Sequence, residues 1–200
     1  VDAGDVAANF FQHQPFLNDA IAANGFELTL AVPVFTWDQA TYSDKYRSWD
    51  QLPRGAKIAL RDDPAGQAIA LLDLAEAGQI TLKPGKDTVA GLPQLTDIES
   101  NPKNYQFVQV PIGQLARSLA DVDAVVVHIS DVYAAGLTEE QILARHPAPK
   151  GSEGGLVVSN KHLEDENVQK LIAAFSDPRI AEYLETTDND LIRNTLGPIS

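Results

Sequence analysis

The chain has 200 residues, of which 44% are hydrophobic and 22% are charged; this composition is typical of a globular protein, either one large domain or two small lobes, and excludes a disordered one. Its formal net charge of -13 argues against nucleic acid as a partner and against adhesion to anionic lipid, because both need clustered Lys and Arg. The sequence contains no cysteine, which excludes disulfides, thiolate zinc sites and cysteine nucleophiles within these residues.

Strands and helices alternate along the first half of the sequence. Apolar residues at helical spacing, followed by a glycine, predict a helix over 14–25. The apolar run after it predicts a strand over 26–35. A short buried strand is expected over 56–60. Pro64 near a first helical turn, with an apolar stripe behind it, then predicts a helix over 62–78.

The alternation continues in the second half. Alternating apolar and polar residues predict a half-buried strand over 105–111, and an amphipathic pattern predicts a helix over 112–122. The continuous apolar run at 123–130 is typical of a strand at the centre of a parallel sheet that is covered on both faces.

The last part of the chain carries the signals of three helices and one strand. A helix is predicted over 138–146, with Thr138 as N-cap and Gln141 at the capping-box position. A strand is predicted over 156–160, and two helices broken at Ser-Asp-Pro are predicted over 165–187. Such alternation indicates an α/β fold with helices on both faces of a sheet.

Polar residues cluster near the predicted strand ends, where α/β folds bind their ligands. These clusters lie at 61–67, 128–131 and 151–155. The first of them could bind an anion through free amides at a helix N-terminus, or could be a solvated turn. Adjacent Asp62 and Asp63 are better explained as helix caps than as a catalytic pair.

The histidines give no metal signature. They are His13, His128, His146 and His162, and no pair has the spacing of a zinc motif. The sequence therefore predicts neither a metal site nor a cofactor. His128 ends a buried strand and could act as a general base, although a structural histidine with satisfied ring nitrogens is the favoured interpretation.

The order of several motifs resembles the NlpA-type methionine-binding lipoproteins, which are the substrate-binding proteins of bacterial methionine ABC importers. The motifs are ANFFQHQPFL (8–17), YSDKYRSWDQLPRGAKIAL (42–60), DDPAGQAIALLDLAEAG (62–78), NPKNYQFVQV (101–110), VDAVVVHIS (122–130) and AAGL (134–137). The combination of FQHQP with the second motif is specific, and the resemblance covers essentially the whole chain.

The resemblance implies a two-lobed periplasmic-binding-protein fold of type II-like architecture, whose lobes close on a ligand by hinge motion. Lobe 1 would hold 1–33 and 129–200, and lobe 2 would hold 34–128. Hinges would lie near Val32–Phe35 and Val127–Asp131. The family's first strand–helix–strand unit and its lipidated cysteine would precede the present N-terminus.

The resemblance also implies a function. The protein would be an extracytoplasmic lipoprotein, held to the cell membrane by an N-terminal lipid anchor outside this chain. It would bind a small molecule in the cleft between the lobes, deliver it to an ABC permease and its ATPase, and have no enzymatic activity.

The sequence departs from the family at the ligand-binding positions. The family's NDPTN..RALLLL becomes DDPAGQAIALLDL, so that the arginine that pairs with the ligand carboxylate falls on Ile69. Family asparagines fall on His128, Ser130 and near Gly154. The candidate ligand-binding residues are Phe10, Phe11, His13, Phe35, Trp37, Arg61, Gln67, Ile69, His128, Ser130 and Gly154.

The loss of that arginine affects the choice of ligand, because a buried carboxylate needs a charged partner. Arg61 or a protonated His128 could replace it. The expected ligand is methionine or a related amino acid or derivative, and the alternative is a less charged solute. An enzyme with His128 or His13 as general base, or a surface interaction lipoprotein, are further alternatives.

The aromatic residues near the N-terminus have two interpretations. They could line an apolar ligand pocket, or they could pack in the core, as most buried aromatics do. From the resemblance, we expect FFQHQP to be a lobe-edge segment, with Gln14 and Pro15 opening the next helix. At least one of Phe10, Phe11 and His13 is then expected to line the pocket.

Overall fold

The computed structural model describes residues 1–128, 132, 135–186 and 192–195. The chain divides into two compact units. Unit 1 comprises Val1–Trp37 and Gly151–Ser200, and unit 2 comprises Asp38–Lys150. Each unit contains its own main sheet.

The described strands and helices follow in chain order. The strands are β1 (Ala8–His13), β2 (Leu28–Trp37), β3 (Gln39–Tyr42), β4 (Lys57–Arg61), β5 (Thr81–Leu82), β6 (Ile98–Ser100), β7 (Gln106–Val110), β8 (Ala124–His128), β9 (Ile142–His146), β10 (Gly154–Ser159) and β11 (Ile192–Asn194). The helices are α1 (Gln14–Asn24), α2 (Pro64–Glu76), α3 (Ile112–Leu115), α4 (Glu166–Phe175) and α5 (Pro178–Thr186). None of these helices is long and apolar enough to cross a membrane.

Unit 1 is built on a four-stranded sheet with the order β1-β10-β2-β11. All three strand pairings are antiparallel. Its core is mainly aliphatic, with Val34, Leu156 and Val158, but it also contains Phe35. Residues of α4 and α5 pack against this core. The strand that carries the FFQH sequence therefore lies at one edge of this sheet, and Gln14 begins α1 directly after it.

Local sequence explains where α1 begins and ends. Pro15 sits in its first turn, where the missing N–H costs no hydrogen bond. Gly25 ends the helix in the left-handed conformation, with φ of 70°, and donates its N–H to the carbonyl of Ile21.

Unit 2 is built on a five-stranded sheet with the order β7-β4-β8-β3-β9. Strand β4 is parallel to β7 and β8, whereas β3 is antiparallel to β8 and β9. Residues 65–74 of α2 are all buried, and the main core includes Ile58, Leu60, Leu71 and Val126. The continuous apolar run of β8 fits its central place in the sheet.

Most of the predicted elements are confirmed. The structure has the predicted helices at 14–25 and 62–78 and the strands at 26–35, 56–60, 105–111 and 156–160, each within about two residues. The strand predicted over 123–130 is confirmed as far as His128, and its last two residues lie outside the described part. Two helices with a break at Ser176-Asp177 are present as predicted.

The helix predicted over 138–146 is wrong. The capping box of Thr138 and Gln141 is present, but it closes only a short 3-10 helix at Glu139–Gln141. The residues after it form β9, which pairs with β3. A capping box fixes the first turn alone, and pairing with the partner strand determines the conformation of the next residues.

The helix predicted over 112–122 is only partly correct. Helix α3 ends at Leu115, and a 3-10 helix continues from Ala116 to Ala120. The switch to 3-10 geometry is common in short connecting segments.

The unit boundaries differ from those predicted for the lobes. The first change of unit follows Trp37 and the second follows Lys150, whereas the family resemblance implied a second hinge near Val127–Asp131. The lobe boundaries themselves stay a prediction. The later position has a physical reason. Strand β9 completes the five-stranded sheet by pairing with β3, so residues up to His146 belong to unit 2.

Candidate functional site

Unit 1 brings several predicted site residues into one aromatic cluster, formed by Phe10, Phe11, His13, Phe35 and Trp37. Trp37 lies at its centre. Its ring centroid is 4.4 Å from that of Phe35, 6.1 Å from that of Phe11 and 6.2 Å from that of His13. All three contacts are edge-on, the arrangement that aromatic quadrupoles favour.

The members of the aromatic cluster differ in exposure. Phe35 is 4% exposed and His13 is 5% exposed, whereas Phe10 is 43% and Phe11 is 53% exposed. Phe10 stacks on Phe175 at 4.7 Å, and it also contacts Phe35. Two large aromatic side chains at a sheet edge thus keep about half of their surface available, which core packing alone does not require.

Gly154 belongs to the same cluster. In the sheet it lies opposite His13 on one side and Phe35 on the other. A Cβ atom at Gly154 would lie 2.7 Å from Cζ3 of Trp37. Glycine at this position therefore lets the indole ring lie directly against the backbone of β10.

His13 has a clear structural role. Its Nδ1 accepts a hydrogen bond from the backbone N–H of Phe16 at 3.1 Å, so the imidazole is the N-cap of α1. An accepting Nδ1 requires the neutral ring with its proton on Nε2. The histidine of FFQHQP therefore ends β1 and starts α1, a role that the sequence did not suggest.

In unit 2, Arg61 ends β4 and is 7% exposed. Its Nε donates to Oδ2 of Asp63 at 2.6 Å. The other oxygen of Asp63, Oδ1, accepts from the backbone N–H of Gly66 at 2.8 Å and caps α2. The predicted capping role of Asp63 is confirmed, and the same carboxylate holds the guanidinium.

Gln67 and Ile69 both lie in the buried part of α2, and each is 2% exposed. The Gln67 side-chain oxygen accepts a hydrogen bond from the backbone N–H of Leu95 at 2.9 Å. Gln67 thus fastens the segment around Leu95 to the helix. Ile69 supplies no charge or polar group at the position where the family resemblance placed an arginine.

His128 ends β8, with Gln39 opposite it on β3. Strand β8 is parallel to β4, so His128 and Arg61 end neighbouring parallel strands at the same edge of the sheet. Ser130 lies outside the described residues. A ligand role for each of these residues stays a prediction.

One unusual group, Asp73, is absent from the residues predicted from the sequence. It lies on α2 between Leu72 and Leu74, is 1% exposed, and its Oδ2 has no hydrogen-bond partner among the described residues. Burial, and then the negative charges of Glu76 and Asp38, raise the pKa of Asp73 well above its usual value. The signal that could have found it is a single acid inside the apolar stripe LLDL.

His146 is a second buried titratable group, on β9. Its Nε2 lies 2.8 Å from Oγ1 of Thr41. Burial lowers the pKa of His146 to about 4. The ring is therefore neutral at pH 7. Together with Trp49, it borders a cavity of about 290 Å³ in unit 2.

The chain is similar in sequence to known lipoproteins. The profile of the family described as NlpA lipoprotein matches residues 1–194. The D-methionine-binding lipoprotein MetQ of Escherichia coli is 34% identical over 182 residues, which are 90% of this chain and 66% of the relative. Lipoprotein 28 of Escherichia coli is 31% identical over 191 residues, 93% of this chain and 68% of the relative. The chain thus spans about two thirds of the length of these relatives.

The fold is also similar to that of solved structures of binding proteins and lipoproteins. A nutrient binding protein from Burkholderia cenocepacia bound to methionine matches with a TM-score of 0.86 and 31% identity, over 97% of this chain and 81% of that one. Lipoprotein Tp32 from Treponema pallidum matches with a TM-score of 0.85 and 28% identity, over 98% and 81%. The expected α/β fold of periplasmic binding proteins is confirmed, and with the profile match over 1–194 these similarities show that the chain belongs to the NlpA lipoprotein family.

Proposed function

We propose that this chain is the solute-binding part of an extracytoplasmic lipoprotein that serves an ABC importer, and that its ligand is methionine or a related amino acid. The observation that carries the proposal is the fold match to a methionine-bound protein, with a TM-score of 0.86 at 31% identity. The permease and ATPase of the importer would be its partners. The protein would bind and release its ligand unchanged.

The aromatic cluster of unit 1 supports an apolar or thioether side chain in the ligand. Sulfur packs favourably against aromatic rings, and each such contact contributes ~0.3–1.5 kcal/mol. Phe11 is half exposed and contacts Trp37, so these two rings are the proposed contacts for the ligand side chain. Phe10 is already stacked on Phe175 and has less free surface.

A second candidate is a binding protein for a less charged solute. Ile69 favours it, because this side chain is apolar and buried and cannot pair with a carboxylate. Such a ligand would keep an apolar portion for the aromatic cluster and would have an amide, ester or alcohol in place of the carboxylate.

A thermal-shift titration distinguishes these candidates. The protein is melted with L-methionine, D-methionine, norleucine, methioninamide and methioninol, and with glutamate as a control. At ~100 times its dissociation constant, a ligand stabilises the fold by about 2.7 kcal/mol, which raises Tm by roughly 5–10 °C for a chain of this size.

A rise with methionine would support the amino-acid proposal. A rise with methioninamide or methioninol alone would support the less charged solute. A cooperative melt that none of these compounds shifts would contradict both.

A further inference from the structure

The proposed function requires a partner for the ligand's carboxylate, and the structure restricts the choice. Among the residues whose side chains are described, Arg61 is the one Lys or Arg that is buried, at 7% exposure. The remaining Lys and Arg side chains in that set are at least partly exposed. A charge-assisted hydrogen bond is strongest where water is excluded.

The two buried histidines are poor partners for a carboxylate. The pKa of His146 is lowered to about 4 by burial, so this ring carries no charge at pH 7. The Nδ1 atom of His13 accepts the N–H of Phe16, which also requires a neutral ring. Both rings are therefore neutral in the arrangement described, and neither supplies a positive charge for the carboxylate.

Arg61 is held in place by the first turn of α2 in unit 2. Its Nε pairs with Asp63 at 2.6 Å, and Asp63 is fixed in turn by the N–H of Gly66. A Cβ atom at Gly66 would collide with Nε of Arg61. Only glycine at this position lets the arginine side chain lie across this turn.

This geometry leaves the guanidinium suited to a second anion. The pair with Asp63 uses Nε, while Nη1 and Nη2 carry four of the five N–H donors of an arginine. The Asp63 carboxylate offsets the charge of the buried guanidinium when no ligand is bound, so burial of Arg61 does not leave an isolated cation. Arg61 also lies at the carboxyl end of a parallel strand, where ligands of α/β folds bind.

We propose that Arg61 is the specificity-determining residue that binds the carboxylate of the ligand, with Asp63 as its positioning residue. The proposal rests on the proposed function, since it takes the ligand to be an amino acid. In this proposal the positive charge that binds the carboxylate comes from Arg61 at the end of β4, because Ile69 carries no charge. It makes the protein selective for free carboxylates over amides.

The test measures discrimination as well as affinity. Calorimetric titrations with L-methionine and methioninamide are made on the wild type, on Arg61→Met and on Arg61→Lys. Arg54→Met is the matched control, because Arg54 is an exposed arginine of the same unit whose side chain reaches the carbonyl of Pro102. Circular dichroism checks that each variant is folded.

We expect the wild type to favour methionine over methioninamide by about tenfold or more, which is the worth of a charge-assisted hydrogen bond. In Arg61→Met this preference should disappear. Arg61→Lys keeps the charge and the pair with Asp63 but loses the bidentate geometry, so it should bind methionine about tenfold more weakly. Arg54→Met should behave like the wild type.

Two outcomes would overturn the proposal, and they differ in meaning. If methionine binds but Arg61→Lys and any folded Arg61→Met keep the wild-type affinity and preference, Arg61 is structural and the proposed function still stands. If the wild type binds neither compound, the proposed amino-acid function is wrong, and the role of Arg61 that depends on it is wrong as well. If Arg61→Met does not fold, the affinity and preference measured for Arg61→Lys decide between these outcomes.

Discussion

Replacing Asp73 by leucine should stabilise the protein at pH 7. Asp73 is 1% exposed, its Oδ2 has no hydrogen-bond partner among the described residues, and Leu72 and Leu74 flank it. Leaving such a group unsatisfied costs about 1–3 kcal/mol. Asp73→Leu should therefore raise the free energy of unfolding by about that amount and Tm by roughly 2–10 °C.

The effect of Asp73 on stability should depend on pH. The pKa of Asp73 is raised in the folded state, so the folded chain binds this proton more tightly than the unfolded chain does. The favourable contribution is fully present below the unfolded pKa of about 4 and is lost as pH rises through the folded pKa. The gain from Asp73→Leu should thus be largest at neutral pH and should shrink towards pH 4.

The assay is urea unfolding followed by circular dichroism between pH 4 and pH 8. Asp73→Asn removes the charge with little change of shape, and Asp87→Leu, at an exposed acid of the same unit, is the matched control. A loss of stability in both Asp73 variants at pH 7 would contradict this prediction. It would mean that the Asp73 carboxylate is ionised in the folded protein and is stabilised there by neighbouring polar groups.

Three further predictions concern single side chains. His13→Ala should cost about 0.5–2 kcal/mol of stability in urea unfolding, because α1 loses its N-cap, whereas His13→Asn should keep most of it. Gly154→Ala should cost about 1–3 kcal/mol, because the new methyl collides with Trp37; Gly113→Ala, where a Cβ meets nothing within 4 Å, should cost nothing, and equal effects in the two variants would contradict the argument. His146 should titrate with a pKa of about 4 in an NMR titration. Its contribution to stability should be present above the unfolded pKa of about 6.5 and lost as pH falls towards 4, and a pKa near 6.5 would contradict its buried, neutral state.

Local chemistry explains which parts of the fold could be predicted. Helix α2 has its cap at Asp63, a proline in its first turn and a long apolar stretch, and all three signals lie within the helix or directly before it. Strand β8 is apolar at every position up to His128. Elements whose signals are local in this way are predictable within about two residues.

Segment 138–146 shows the limit of such signals. Its capping box is real, but the pairing of β9 with Gln39–Tyr42, about a hundred residues away in sequence, determines its conformation. No pattern within the segment carries that information.

The residues of the candidate site could be predicted more fully than the contacts between them. The family resemblance picked out Phe11, Trp37 and Gly154, and the antiparallel pairing of β10 with β1 and β2 brings them together. Spacing in the sequence did not show that His13 caps a helix. The ion pair of Arg61 with a residue two positions later depends on the close approach of the arginine to Gly66, which the sequence pattern alone does not reveal.

The most direct test of the central claim is a calorimetric titration of the purified protein with L-methionine at pH 7. We expect saturable binding of one ligand per chain, with micromolar or tighter affinity and a negative heat-capacity change, because apolar surface is buried against aromatic rings. No binding heat at several temperatures, from protein that unfolds cooperatively, would contradict the claim that the chain binds this amino acid.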